Sequence, residues 1–219
     1  MSSPVLLFDL DGTLTDPKLG IVRCMRHALV RLARACPSDE VLGTFIGPPL
    51  RGTFSTLLES KDKEMIEKAM FLYRERFTDI GIYENQIYDG ITEMLESLKH
   101  VASASFVATS KPAIYADRIV KHFGLNHYFA GVYGPELDGR FDNKTELVAH
   151  LLATEKIPPE AAVMVGDRAA DILAAKAKGI RSIGVLWGYG TKAELNDVGA
   201  DQLCRTPMEL VTCLSDMAF

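Results

Sequence analysis

In Val5-Leu6-Leu7-Phe8-Asp9-Leu10-Asp11-Gly12-Thr13-Leu14-Thr15-Asp16 an apolar run ends abruptly in a pair of carboxylates. Val5 to Phe8 is too short for a helix and apolar enough to be a strand buried on both faces of a parallel sheet. Asp9 and Asp11, two residues apart at the end of such a strand, project the same way, and Gly12 lets the chain turn sharply beside them. Asp and Gly are also ordinary turn residues, so the first few residues after the strand read equally well as a plain exit loop.

Working outward, Pro17 opens a segment of purely helical periodicity. Ile21, Val22, Met25, Ala28, Leu29, Leu32, Ala33 and Cys36 recur at helical spacing, with Arg23, Arg26, His27, Arg31 and Arg34 on the other side. The basic face reads as a solvated helix surface. Ser38 caps a short helix, Ile46 to Arg51 is a Pro-Pro loop ending in a cation, and the pattern from Gly52 to Phe77 is helical again. Beyond a return linker at about 81–90, strand and helix alternate. The expected strands are 104–109, 129–132, 161–166 and 181–186, and the expected helices start at Ile91, Pro112, Lys144 (capped by Asn143) and after Asp167. Thr191 with Glu194 and Thr206 with Glu209 are capping-box signatures of two further helices. Alternation of this kind predicts an α/β fold, a Rossmann-like parallel sheet covered on both faces, formed by 1–16 and 84–219 and interrupted by an all-helical cap at 17–83.

The bulk properties exclude several classes. A net charge of −5 and a pI near 5.6 give no reason to expect nucleic acid or an anionic membrane as partner. No span of the chain is apolar for the roughly 18 residues a membrane helix needs. Cys24, Cys36, Cys204 and Cys213 form no CxxC pair and have no His at zinc spacing, so they read as thiols of a reducing compartment. The expectation is a soluble, cytoplasmic protein.

In a parallel α/β sheet the ligand lies off the carboxyl ends of the strands. The residues there are Asp9 and Asp11, Thr109 and Ser110, then Gly166 and Asp167, with Asp171 one helical turn on. Two carboxylates within about 4 Å repel by roughly 4 kcal/mol at an effective dielectric near 20, so several together call for a cation. The candidate ligands are all hard oxygens, which suits Mg²⁺.

The motif DxDGT[LV]xD resembles motif I of the haloacid dehalogenase-like superfamily, and the other motifs follow in that family's order. The resemblance implies that Asp9 is a nucleophile forming a phosphoaspartate and Asp11 the general acid and base. Thr109, with Ser110, matches motif II, which holds a phosphoryl oxygen. Gly166-Asp167-Arg168-Ala169-Ala170-Asp171 is similar to motif IV. It implies Mg²⁺ on Asp9, Asp167 and the Asp11 carbonyl, with Asp171 in support. Lys144 matches the motif III lysine, although Thr145 follows where the family often has Pro, and Lys111 is the alternative. The cap loop through Arg51 corresponds to a substrate-binding segment. The chain looks most like the phosphoglycolate phosphatase and 5'-nucleotidase-like branch, and the Gly184–Gly190 loop resembles that branch too. The implied activity is hydrolysis of a small phosphomonoester. A sugar phosphomutase of the same superfamily is the alternative, disfavoured because Asp16-Pro17-Lys18-Leu19-Gly20 lacks a His. A dehalogenase would lack the second aspartate, and a catalytically silent binding protein would be expected to lose one of Asp9, Asp11, Thr109 or Asp167.

Overall fold

Four consecutive residues, Val5 to Phe8, form the central strand of a six-stranded parallel sheet because every one has a neighbour strand to pair with on both sides. In the computed structural model, which describes residues 3–217, β1 (Val5–Phe8) pairs in register with β4 (Ala104–Ala108) and with β6 (Ala162–Gly166). Leu7 stands opposite both Phe106 and Met164. Since side chains alternate along strands, that register puts Leu7, Phe106, Ala108, Ala162 and Met164 on one face. There they pack on Val148, Leu151 and Leu152 of α7 (Lys144–Glu155) and on Ala174 and Ala175 of α8 (Ala169–Ala177). Leu6, Phe8, Val107, Val163 and Val165 fill the other face and are equally buried. Burial on both faces explains why these strands read as unbroken apolar runs.

β5 (Gly131–Tyr133), β7 (Arg181–Val185) and β8 (Gln202–Cys204) complete the sheet in the order β5-β4-β1-β6-β7-β8. Two-residue strands β2 (Thr15–Asp16) and β3 (Gln86–Ile87) make a separate ribbon. The helices of this larger unit, Met1–Asp16 with Ile87–Phe219, also include α5 (Ile91–Leu98), α6 (Ala113–His122), α9 (Lys192–Asp197) and α10 (Pro207–Asp216). The carboxyl end of β1 is flanked by those of β4 and β6, which places residues 9–11, 109–111 and 167–171 around one point.

The second unit, Pro17–Gln86, contains α1 (Lys18–Arg31), α2 (Asp39–Gly43), α3 (Leu50–Leu57) and α4 (Lys63–Phe77). Its core comprises Met25, Ala28, Leu29, Phe54, Met70, Tyr73 and Phe77, with the Tyr73 and Phe77 rings stacked. Glu84 accepts hydrogen bonds from Arg23 and Arg76, which pin the end of the unit to α1 and α4. The helical pattern over Gly52–Phe77 is not continuous. Glu59 adopts a left-handed conformation (φ 49°) and Asp62 caps a new helix by accepting the Glu64 amide at 3.0 Å, so the hydrophobic period carries across a break. The basic face of α1 is largely ion-paired rather than merely solvated: Arg26 with Asp39, Arg31 with Glu75 and Arg23 with Glu84. None of the described helices is long and apolar enough to cross a membrane.

Candidate active site

β1 ends by delivering Asp9 and Asp11 into a buried cluster. Gly12 adopts φ +90°, and a Cβ there would lie 2.2 Å from Asp167 Oδ2, so only glycine lets the turn run past that carboxylate. Asp167 follows β6 directly. Asp171 sits in the first turn of α8 and takes the Arg168 amide on Oδ2 at 2.9 Å, a capping contact that fixes its carboxylate. Ligand oxygens of Asp9, Asp167 and Asp171 all lie within 4.8 Å of one another.

Two lysines enter the cluster and take different partners. Lys144, the first residue of α7 and positioned by the Asn143 cap, donates to Asp9 Oδ1 at 2.8 Å and forms an ion pair with Asp171. Lys111 pairs with Asp11 Oδ2 at 2.7 Å. The alternative left open by the sequence thus becomes a division: one lysine serves Asp9 and the other Asp11. Asp11 Oδ1 is buried and, among the described residues, has no hydrogen-bond partner. Thr109 is buried at the end of β4, and its hydroxyl oxygen accepts the Lys111 amide at 3.2 Å, leaving the hydroxyl proton as a donor. Ser110 is half-buried beside it. Arg51 belongs to the smaller unit, where its guanidinium donates to Glu67 at 2.8 Å.

Burial dominates the electrostatics. It pushes the Asp167 carboxyl up to about 8, with the charges of Asp9 and Asp171 adding to the rise. Asp171 and Asp11 are raised by the same desolvation, against the opposing pull of Lys144 and Lys111 respectively. Burial works against the Lys144 ammonium too, but Asp171 and Asp9 outweigh it and hold its pKa above the ordinary lysine value. When all four carboxylates are ionised the two lysines leave two negative charges unmatched, a deficit that one divalent cation on oxygen ligands would close and that the raised carboxyls otherwise meet by binding protons.

Around this centre lie residues the sequence reading did not assign. Thr13 donates a long hydrogen bond (3.4 Å) to Asp167 Oδ1, and the Tyr189 amide donates to Oδ2 at 2.8 Å. The Trp187 indole donates to the Thr13 carbonyl at 2.9 Å. Thr13 belongs to the motif that follows β1, whereas the one sequence signal for Trp187 and Tyr189 was the glycine-rich run Gly184–Gly190. Glu194 departs from its expected reciprocal box. Its amide does donate to Thr191 at 3.0 Å, but its carboxylate reaches the Ala169 amide at 2.8 Å and Arg168 at 3.0 Å, satisfying the start of α8 instead.

Comparison with known proteins agrees with this architecture. A 5'-nucleotidase from Pseudomonas aeruginosa is 45% identical over 192 residues, covering 88% of this chain and 86% of that protein. Tyrosine-protein kinase PtkA from Mycobacterium tuberculosis is 38% identical over 189 residues, 86% of this chain but 64% of that longer protein. The crystal structure of a predicted phosphatase from Clostridium acetobutylicum is similar with a TM-score of 0.95 and 34% identity, covering 99% of this chain and 100% of that one. The family model for haloacid dehalogenase-like hydrolases matches residues 6–185, and the chain belongs to that family.

Proposed function

We propose that the protein is a Mg²⁺-dependent phosphomonoesterase for a small phosphorylated metabolite, of the nucleoside monophosphate or phosphoglycolate kind, working through a phosphoaspartate on Asp9. The observation that carries this reading is the asymmetric pairing of the two motif I carboxylates. Asp9 is held by Lys144 among the aspartates that could hold a cation, while Asp11 keeps a buried oxygen with no hydrogen-bond partner among the described residues.

The donor set fits Mg²⁺ by its hard oxygens and by the charge deficit; Asp9 and Asp167 would hold the ion together with the Asp11 carbonyl, and Asp171 would support it by fixing Lys144. The bound cation would supply charge neutralisation for the transferring phosphoryl group. In the first step an Asp9 carboxylate oxygen attacks phosphorus while the bond to the leaving oxygen breaks, and Asp11 gives that oxygen its proton. Lys144 keeps the Asp9 carboxylate aligned and offsets charge on the phosphoryl oxygens, to which the Thr109 hydroxyl and the following amide also donate. In the second step water attacks the phosphoaspartate, Asp11 takes its proton, and Asp9 is released. Arg51 is assigned to substrate binding.

Phosphate release from a panel of nucleoside monophosphates, phosphoglycolate and sugar phosphates, with Mg²⁺ and with a chelator, tests the reading. Release that needs the metal and disappears in Asp9→Asn is expected; chelator-insensitive turnover, or full turnover in Asp9→Asn, would overturn it. The similarity to a tyrosine kinase makes transfer to a tyrosyl acceptor the second outcome to score, and it is recognised by label reaching a phenol instead of free phosphate.

A further inference from the structure

The glycine-rich run after β7 has no role in the chemistry above, yet it touches both the turn after β1 and the Asp167 segment. It starts anchored, with the Leu186 amide donating to the Cys204 carbonyl at 2.9 Å. It then passes so close to the site that side chains are excluded. A Cβ on Gly190 would lie 1.7 Å from the Asp167 carbonyl oxygen, and one on Gly188 would lie 2.2 Å from the Gly12 carbonyl and 2.5 Å from the Asp167 side chain. Between these glycines, Tyr189 uses both of its donors. Its amide fixes Asp167 Oδ2 at 2.8 Å, and its hydroxyl donates to Asp16, the last residue before the chain leaves the larger unit.

We infer that Tyr189 is a positioning residue for the cation site: its phenol, anchored on Asp16, holds the strap so that its amide keeps the Asp167 carboxylate turned toward Asp9. This rests on the metal reading proposed above. Outer partners of this kind typically change metal affinity by 10–100-fold when removed. A tyrosine is suited to the task because the phenol and the amide are separated by a rigid ring. Fixing the hydroxyl therefore restricts the backbone at 189.

The test is a titration of the metal-free chain with MgCl₂ alone, followed by thermal unfolding, which reports Mg²⁺ affinity without turnover. Tyr189→Phe and Asp16→Ala should each weaken Mg²⁺ binding about tenfold, and the double variant should be no weaker than either single one, because both remove the same hydrogen bond. Asp16→Asn, whose amide oxygen still accepts from the phenol, should keep an affinity near that of the wild type. Gly190→Ala, which leaves Tyr189 in place but drives a methyl into the Asp167 backbone, should also weaken binding. Wild-type affinity in Tyr189→Phe overturns the inference. So do additive losses in the double variant, or an Asp16→Asn variant as weak as Asp16→Ala, which would assign the effect to charge. A wild-type chain that takes up no Mg²⁺ removes the metal reading and this inference with it.

Discussion

Lys144→Met is the perturbation whose cost the structure lets us work out. The ammonium lies 2.8 Å from Asp9 and in contact with Asp171, with side-chain exposures of 5%, 5% and 1% for Lys144, Asp9 and Asp171. Removing one partner from a buried pair typically costs 3–5 kcal/mol, because the remaining charge is left desolvated. One term opposes this. Lys144 is the first residue of α7, where a cation is disfavoured by the helix dipole by about 0.3–1 kcal/mol, so its loss returns that amount. The net expectation is about 3 kcal/mol of destabilisation in the metal-free protein, which for a chain of this size is a fall in melting temperature of roughly 10 °C. Two further measurements identify the cause. The deficit should shrink toward pH 5, where the raised carboxyls Asp167 and Asp171 can protonate instead of remaining as unpaired charges. Saturating Mg²⁺ should also recover part of it, while turnover stays low because the nucleophile is no longer aligned. A metal-free Lys144→Met that melts within about 2 °C of wild type at pH 8 would refute the charge-balance argument.

The remaining predictions are shorter. Metal-free wild-type protein should lose stability as pH rises. The folded Asp167 pKa of about 8 exceeds the ordinary aspartate value of 3.8, so its contribution is fully present below 3.8 and disappears as pH passes 8; Mg²⁺ should flatten the slope, and an unfolding series from pH 5 to 8.5 with and without the ion checks this. Asp11→Asn should slow the phosphorylation of the enzyme by alkyl phosphates by about 10²–10⁴-fold and slow an aryl phosphate much less. Equal losses on both substrates would rule out Asp11 as the acid. Arg51→Ala should raise KM or reorder substrate preference more than it lowers kcat, as removal of uniform binding does. An effect on kcat alone would count against a binding role.

The fold was readable where one local cue sufficed. β1 and β6 are apolar runs, β4 and β7 carry buried apolar residues toward their carboxyl ends, and Ser38, Asn143, Thr191 and Thr206 cap the helices that their side-chain chemistry announces. β8 escaped because it spans only three residues at the sheet edge, and its pairing with Ile183–Val185 is a tertiary fact with no period of its own. The interruption at Glu59–Asp62 was hidden for the opposite reason: the apolar spacing on either side stays in phase, and only Asp62 hints at a new cap.

The candidate site was legible to the extent that sheet topology gathers strand ends. Asp9, Asp11, Thr109, Asp167 and Asp171 needed only the parallel order to converge. The lysines needed more. Lys111 and Lys144 each lie within a few residues of a strand end or helix start, and a flexible side chain carries no record of which carboxylate it reaches. What separates them is the backbone behind each. Asn143 caps α7 and points its first residue at Asp9, whereas the Thr109 hydroxyl takes the Lys111 amide and turns that residue toward Asp11. The same logic accounts for Tyr189, whose role depends on a backbone N–H that any residue but proline possesses. What singles it out is a phenol whose partner, Asp16, lies far away in sequence. Side chains that carry the chemistry can be read from type and spacing; those that aim them become visible only when their partners are in place.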